Sequence, residues 1–293
     1  MSGTALFVEN DGEVTARRDL PPVTARDKEI LIDVIYSGVN PADLKVVHFI
    51  NYRNSVPGTD FCGKVLDCPA LVDSGFKVGD IVAGQTVPHG EHSKEYGSHK
   101  PRISTPQVGL FKVPENMAHS DAAAITTVSH TASDALYNNF RLPLPGSSLD
   151  VVEGTLVSVI KAGHSRVWGF ETAGSPESSQ LLLDALSGIA GDVHYSWVNA
   201  AGAQRPPTEA VLGTRDYEIV FEVPSGRHVI PAEAEKAANM WAALDWAVKN
   251  YGKGFELPVV RVFEGTGEKA LEEMETVSKQ GAFGKLVLKH PLQ

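Results

Sequence analysis

Cysteine is nearly absent from this 293-residue sequence, and two thiols, Cys62 and Cys68, cannot build a disulfide framework or a four-thiolate zinc lobe. Long apolar runs are missing too: none approaches the ~20 residues needed to span a bilayer. Basic side chains are in deficit, 26 Lys and Arg against 36 Asp and Glu. The formal net charge of −10 leaves no concentrated positive surface for nucleic-acid phosphates. The opening MSGTALFVENDGEV lacks the basic and apolar regions of a secretory signal. No Gly-x-Ser-x-Gly elbow, His-Glu-x-x-His or P-loop occurs. The expectation is a cytoplasmic protein with neither a membrane nor a nucleic-acid partner.

What is present is an ordinary globular composition, 42% hydrophobic and 21% charged, in a chain long enough for two domains. The first part reads as strands. ALFVEN (5–10) and EVTARR (13–18) flank the hairpin signal Asn10-Asp11-Gly12. EILIDVIYSGV (29–39), FCGKVLDC (61–68), DIVAGQTV (80–87) and GLFKVP (109–114) follow, which predicts a small barrel-like β domain with 88–107 as a surface loop. After Pro114 the pattern changes. A helix is predicted over 122–139, strands over 155–162, 166–172, 194–200 and 217–223, and helices after Ser175-Pro176-Glu177 and over 232–250. Such alternation implies a parallel α/β sheet.

One stretch looks like a nucleotide loop. VVRVFEGTGEKALEEM (259–274) has a strand, Gly265-Thr266-Gly267, Ala270 and an amphipathic helix, with a further strand at 284–289. Against a dinucleotide, Lys285, Lys289 and His290 occupy the region where an acid would bind the ribose, and Glu268 would face the pyrophosphate. The glycines are read as a tight turn feeding a surface helix.

The motifs with the most specific pattern lie in the first half: Asn40-Pro41-Ala42-Asp43-Leu44-Lys45, then Pro57-Gly58-Thr59-Asp60-Phe61-Cys62-Gly63, then Phe76-Lys77-Val78-Gly79-Asp80. Together with Leu110-Phe111-Lys112-Val113-Pro114, Leu142-Pro143-Leu144-Pro145, Ser175-Pro176-Glu177-Ser178 and Gly284-Lys285-Leu286-Val287-Leu288, the sequence resembles the medium-chain dehydrogenase/reductase superfamily. More narrowly it is similar to the fungal trans-acting enoyl reductases of polyketide biosynthesis. The resemblance implies an α/β fold: a GroES-like β-barrel catalytic domain over 1–142, on which 258–293 packs back, and a truncated Rossmann-like parallel α/β domain over 143–257. It is truncated because only residues 146–174 separate the Leu-Pro-Leu-Pro and Ser-Pro-Glu-Ser segments. A single βαβ unit takes about 30 residues, and a dinucleotide half-site about two such units.

The resemblance implies NADPH-dependent reduction of an enoyl thioester carried by a polyketide synthase or a synthase–nonribosomal peptide synthetase hybrid, by a monomer. NADPH would supply hydride to the β-carbon and a proton would reach the α-carbon, while the protein stabilises the developing enolate. By resemblance, Ala42, Asp43, Leu44, Lys45, Gly284 and Lys285 contact cofactor, and Lys45 and Thr131 are catalytic. Ala132, Ser133, Asp134, Ala135, Leu136, Tyr137, Asn138 and Asn139, with Thr214, Arg215, Asp216, Tyr217 and Glu218, line the acyl site. Read without the resemblance, Lys45 is a solvated loop lysine, Thr131 bonds its own helix backbone, and Lys285 is an exposed strand residue. No zinc is expected: Asn40 stands where zinc dehydrogenases of this superfamily place their first thiolate, Cys62 and Cys68 share a strand with no His, and His89, His92 and His99 lie in a loop without a supporting Cys or Asp. The truncation implies weak or lost NADPH binding. Two alternatives follow from that: a cofactor-free polyketide cyclase or isomerase, and a non-catalytic synthase partner.

Overall fold

The protein is described from a computed structural model, which covers residues 3–49, 52–68, 75–86, 95–146, 166–171, 176–187, 192–198, 210–223, 226–280 and 284–293. Contacts divide the chain into two units. The first comprises Met1–Thr127, Asp216–Ala232 and Asn250–Gln293; the second comprises Val128–Arg215 and Glu233–Lys249.

The first unit is built on the long strand β3 (Glu29–Gly38), whose alternating burial follows its alternating sequence. Its elements before that are the hairpin β1 (Ala5–Val8) and β2 (Val14–Arg17). Helix α1 (Pro41–Phe49) follows β3, and then come β4 (Asp60–Asp67), β5 (Ile81–Gln85), β6 (Arg102–Pro106) and β7 (Leu110–Lys112). β4 lies antiparallel along one edge of β3. The other edge is shared, with β6 beside Glu29–Asp33 and the last strand of the chain beside Tyr36–Gly38. Ile30, Ile32, Val34, Phe61, Val65, Val82 and Ile103 make one core of this sheet.

The expected β domain is present as a seven-stranded sheet whose path, among the described residues, does not close. The expected surface loop at 88–107 is corrected in part. Residues 102–106 form β6 within the sheet, and Ser98, His99 and Lys100 are buried. Short strands bounded by prolines carry little periodicity, which is why RISTP was read as loop. Cys62 lies buried in β4, whereas Cys68 falls just past its end.

Helix α2 (His119–Ser133) runs from the first unit into the second and continues as a π-helical stretch, Asp134–Asn139, where Phe140 donates to the Ala135 carbonyl. The second unit then holds β8 (Arg166–Glu171), α3 (Pro176–Ser187) and β9 (Asp192–Trp197), with β8 and β9 parallel, as a βαβ unit requires. The predicted strand at 155–162 lies outside the described residues. The strand predicted at 217–223 departs from expectation. It forms β10 (Ile219–Val223), antiparallel to β11 (Gly226–Ile230), in a two-stranded hairpin of the first unit. Two β-rich runs set this close in sequence pair antiparallel, which outweighs the alternation expected of a parallel sheet. Helix α4 (Ala234–Lys249) buries Ala237, Met240, Ala243, Leu244 and Ala247 in the second unit, the face its spacing predicts.

The C-terminal βαβ unit is present: β12 (Val260–Phe263), α5 (Gly267–Gln280) and β13 (Lys285–Lys289), with β12 and β13 parallel. β13 joins the main sheet antiparallel to β3. Helix α5 lays Ala270, Met274 and Val277 on Leu6, Val39, Leu286, Leu288 and Leu292. Met274 is 1% exposed at the centre of this cluster, so Met274→Ala should cost about 2–5 kcal/mol in urea or guanidinium unfolding of the first unit.

Candidate functional site

The end of β3 is where polar chemistry concentrates. Gly38 pairs with Asp60 of β4 on one side and with Val287 of β13 on the other. Because both neighbours run antiparallel, the chain emerging from β3 at Asn40 meets the first residue of each strand. The Asn40 side chain donates to Asp60 Oδ2 at 3.0 Å and accepts from the Lys285 ammonium. A Cβ on Gly38 would lie 2.3 Å from the Ala123 carbonyl, so only glycine lets α2 approach here.

Asp60 is fully buried, and both oxygens are used. Oδ1 accepts the Thr127 amide at 3.0 Å and its hydroxyl at 2.5 Å, and Gln85 Nε2 donates to that hydroxyl oxygen at 2.7 Å. Oδ2 faces Lys285 Nζ at 3.2 Å. Lys285 is thus a partly buried counter-ion held in place by register. Gly284 before it has φ +86°, and a Cβ there would lie 2.9 Å from the Val259 carbonyl oxygen.

A second buried chain starts at α1. Asn40 caps the helix through its backbone: its N–H donates to Asp43 Oδ2 at 2.8 Å. The same carboxylate oxygen lies 3.1 Å from His99 Nε2. His99 Nδ1 is 2.8 Å from Ser37 Oγ, and Ser37 Oγ is 2.8 Å from His290 Nε2. All four side chains are buried. His99 is pinned on both sides of its backbone, and its ring rests on Gly58, where a Cβ would come within 2.7 Å of it. Burial, with the neighbouring His99 adding to it, pushes His290 down to about 3.

The candidate residues at 42–45 and 284–285 are therefore drawn together by Asn40, which touches both Asp43 and Lys285. Ala42 is exposed, Leu44 packs on the core beneath α5, and Lys45 is half-buried with no ion-pair or hydrogen-bond partner among the described residues. Thr131 belongs to the second unit and is half-buried there.

The residues read as an acyl-site lining do several different things. In the second unit, Asp134 is fully buried and accepts from Arg215 at 2.9 Å, from the Leu212 amide at 2.8 Å and from Asn138 at 2.7 Å. Arg215 also pairs with Glu233, whose carboxyl is held below its usual range, chiefly by its bond to Lys236. Asn138 reaches the Lys236 carbonyl and Asn139 the Ser196 hydroxyl. Ser133 and Ala135 are buried, Ala132 is exposed, and Leu136, Tyr137 and Thr214 are half-buried. Burial raises the Tyr137 phenol. Asp216, Tyr217 and Glu218 belong to the first unit.

The described glycine-bearing βα junction, at the start of α5, is not a phosphate cradle, and the junction after β8 lies outside the described residues. At the start of α5 the Gly267 amide donates to the Gln293 carbonyl at 3.3 Å, Gln293 donates back to Gly265 at 3.0 Å, and Glu268 pairs with Arg18. A Cβ on Gly267 would meet Thr4 at 2.6 Å, so this glycine serves packing. In the βαβ unit of the second unit, Gly169 makes room for Leu186, 2.7 Å from where its Cβ would be. Gly154, Gly163 and Gly174 lie outside the described residues. Neither Gly267 nor Gly169 therefore offers an open cradle for a dinucleotide diphosphate. Nor do three His, Cys, Asp or Glu side chains gather into a metal-ligating set among them, and His89 and His92 lie outside them. No helix of the described residues is long and apolar enough to cross a membrane.

Sequence reasoning missed Ser37, Asp60, His99 and His290, because their meaning lies in strand register and not in local spacing.

Residues 26–115 match the alcohol dehydrogenase GroES-like domain. The chain is 28% identical over 136 residues to the trans-enoyl reductase mpsG of Macrophomina phaseolina, covering 46% of this chain and 38% of that protein. It is 32% identical over 185 residues to the trans-enoyl reductase ffsC of Aspergillus flavipes, covering 61% and 48%. The matched stretch takes in about half or less of the length of these curated relatives. Among solved structures, the 2R,3R-butanediol dehydrogenase of Bacillus subtilis superposes with a TM-score of 0.63 at 15% identity, over 98% of this chain and 99% of that one. The yhdH oxidoreductase of Salmonella enterica, solved in complex with NADP, gives 0.55 at 16% identity, over 98% and 99%.

Two outcomes are expected. Lys285→Met strands the buried Asp60 charge and should cost about 3–5 kcal/mol in chemical denaturation, whereas Lys45→Met should stay within about 0.5 kcal/mol of wild type. Because His290 is lowered when folded, its contribution is complete above the unfolded value near 6.5 and is lost as pH falls toward about 3. The loss is about 1.4 kcal/mol per pH unit, measured as the unfolding midpoint against pH, and His290→Gln should flatten that slope.

Proposed function

We propose that this trans-enoyl-reductase-like protein of the medium-chain dehydrogenase/reductase superfamily acts in polyketide assembly on an enoyl chain carried by a synthase, with its own NADPH-dependent reduction impaired. The chain would work in the cytoplasm as a monomer, docked on a polyketide synthase or a hybrid synthase. The supporting observation is the first turn of α1. It is fastened at Asn40 between Asp60 and Lys285, and it carries Lys45, a cation with no partner among the described residues. An ammonium held there suits the chemistry of a thioester, whose carbonyl oxygen gains negative charge as the neighbouring carbons react. In this reading Lys45 stabilises that charge, and Thr131 and the half-buried Leu136 and Tyr137 face the acyl chain. Asp134 and Arg215, which the sequence reading put in the lining, frame the unit through their mutual ion pair.

Impairment rests on the spacing. Residues 146–174 are too few for a dinucleotide half-site, and Gly169 and Gly267 serve packing. The same observation favours a second reading, in which the lysine polarises a polyketide carbonyl without any cofactor, to cyclise or isomerise it. A non-catalytic synthase partner is the third reading.

Calorimetric titration with NADPH separates them. Binding weaker than about 1 mM is expected; a saturable isotherm in the low micromolar range would overturn the impairment. A linear polyketide thioester incubated without cofactor should yield a rearranged product only under the second reading, and Lys45→Met should abolish it.

A further inference from the structure

The chain Asp43, His99, Ser37, His290 poses a problem of proton counting. Ser37 has one hydroxyl proton and stands 2.8 Å from a ring nitrogen on each side. It can donate to only one of them, so the other nitrogen must donate to it. His99 Nε2 faces a carboxylate oxygen and therefore carries a proton. With His99 neutral, its Nδ1 accepts from Ser37, and His290 donates through Nε2, leaving His290 Nδ1 as a bare lone pair. With His99 protonated at both nitrogens the bonds reverse. His99 then donates to Ser37, Ser37 donates to His290 Nε2, and His290 must hold its own proton on Nδ1. His290 Nδ1 is buried with no hydrogen-bond partner, so it is the end at which the chain can gain a proton.

We propose that these four residues form a buried proton relay, in which a proton taken up at His290 Nδ1 is stored as charge on His99 beside Asp43, making His99 a positioning residue for α1. The balance is complete: one proton enters at His290 Nδ1, the Nε2 proton of His290 passes to Ser37, and the Ser37 proton passes to His99 Nδ1. Nothing is oxidised or reduced.

The consequence falls on α1, because the Asp43 oxygen that faces His99 is also the one that accepts the Asn40 amide. Charging His99 draws on that carboxylate and loosens or tightens the cap that sets Asn40. The groups facing the relay are few. Asp43 comes from α1, Ser37 from β3 and His290 from just past β13. Beside them in the chain are Lys100, which bonds the Glu95 carbonyl, and Lys289, which pairs with Glu264, while Asp60 and Lys285 lie across the Asn40 side chain. The Pro57–Gly58 and Leu6 segments that hold His99 bring none. Only the use to which α1 is put rests on the proposed function; the relay does not, and the experiment reads it without substrate or cofactor.

Long-range 1H–15N correlation spectra of the histidine rings test it in the full wild-type chain. At neutral pH both rings should carry their proton on Nε2. On acidification within the folded range, His99 should become doubly protonated while His290 stays neutral and switches its proton to Nδ1, and the Asn40 amide should shift with the same midpoint. Ser37→Ala should break the coupling, so that His290 no longer changes tautomer when His99 gains charge. A His290 ring that charges first, a tautomer that never switches, a switch that survives Ser37→Ala, or an Asn40 amide that ignores the transition would each overturn the relay.

Discussion

The Asp60 carboxylate is the constraint on which the first unit turns. A fully desolvated anion is tolerated only with its lone pairs filled and a counter-charge near, and here Thr127, Asn40 and Lys285 provide both. The donors come from α2, from the exit of β3 and from the last strand of the chain. Their meeting is a condition on tertiary structure, because β13 must enter the sheet beside β3 for the ammonium to arrive. Insertion of a strand from the far end of the chain is a costly, non-local step. The ion pair gives that step a specific register, since a shift by one residue would turn Lys285 to the opposite face of the strand.

The polar chain through His99 lies against the same strand end and ties a different set of segments. Ser37 lies in β3 and His290 just past the end of β13, its strand partner, while His99 and Asp43 link the buried segment before β6 to α1. Asn40 belongs to both clusters, by its amide in one and its side chain in the other. α1 is thereby tied at its start by polar contacts, and further along by Leu44 on the apolar core and by the buried Val47. Lys45 stands without a charge partner among the described residues, whereas Lys285 is paired.

What the sequence made legible was whatever repeats locally. The apolar spacing of α4 and α5, the Asn10-Asp11-Gly12 turn and the long alternation of β3 all match the elements found. The C-terminal βαβ unit was readable as a unit, and the resemblance assigned 258–293 to the first domain, but nothing in Lys285–Lys289 says which strand it will join. The same gap explains the hairpin at β10 and β11, where the strand was found and its partner was not. His99 sat in a stretch rich in His, Gly, Ser and Pro that looked like loop, and the glycine beneath its ring, 41 residues earlier in the chain, helps make it a core residue. The resemblance to enoyl reductases pointed to α1 and to Gly284-Lys285 as one place. It could not say that their link is an asparagine.

Glycine shows most clearly why a motif is weaker than a site. In Gly265-Thr266-Gly267 the pattern of a phosphate loop is present, followed by a helix whose first amides could receive an anion. Two local facts cancel it: the Gln293 carbonyl takes the Gly267 amide, and Glu268 brings its own negative charge, which Arg18 balances. The small residue is there because β1 and β2 lie against it, not because a ligand does. Gly169 in the other βαβ unit makes the same point for helix against strand. A diphosphate needs backbone amides left open and a neutral or basic surround. The described junction has spent its glycine on close packing, and Gly169 within β8 does the same for the helix laid on it.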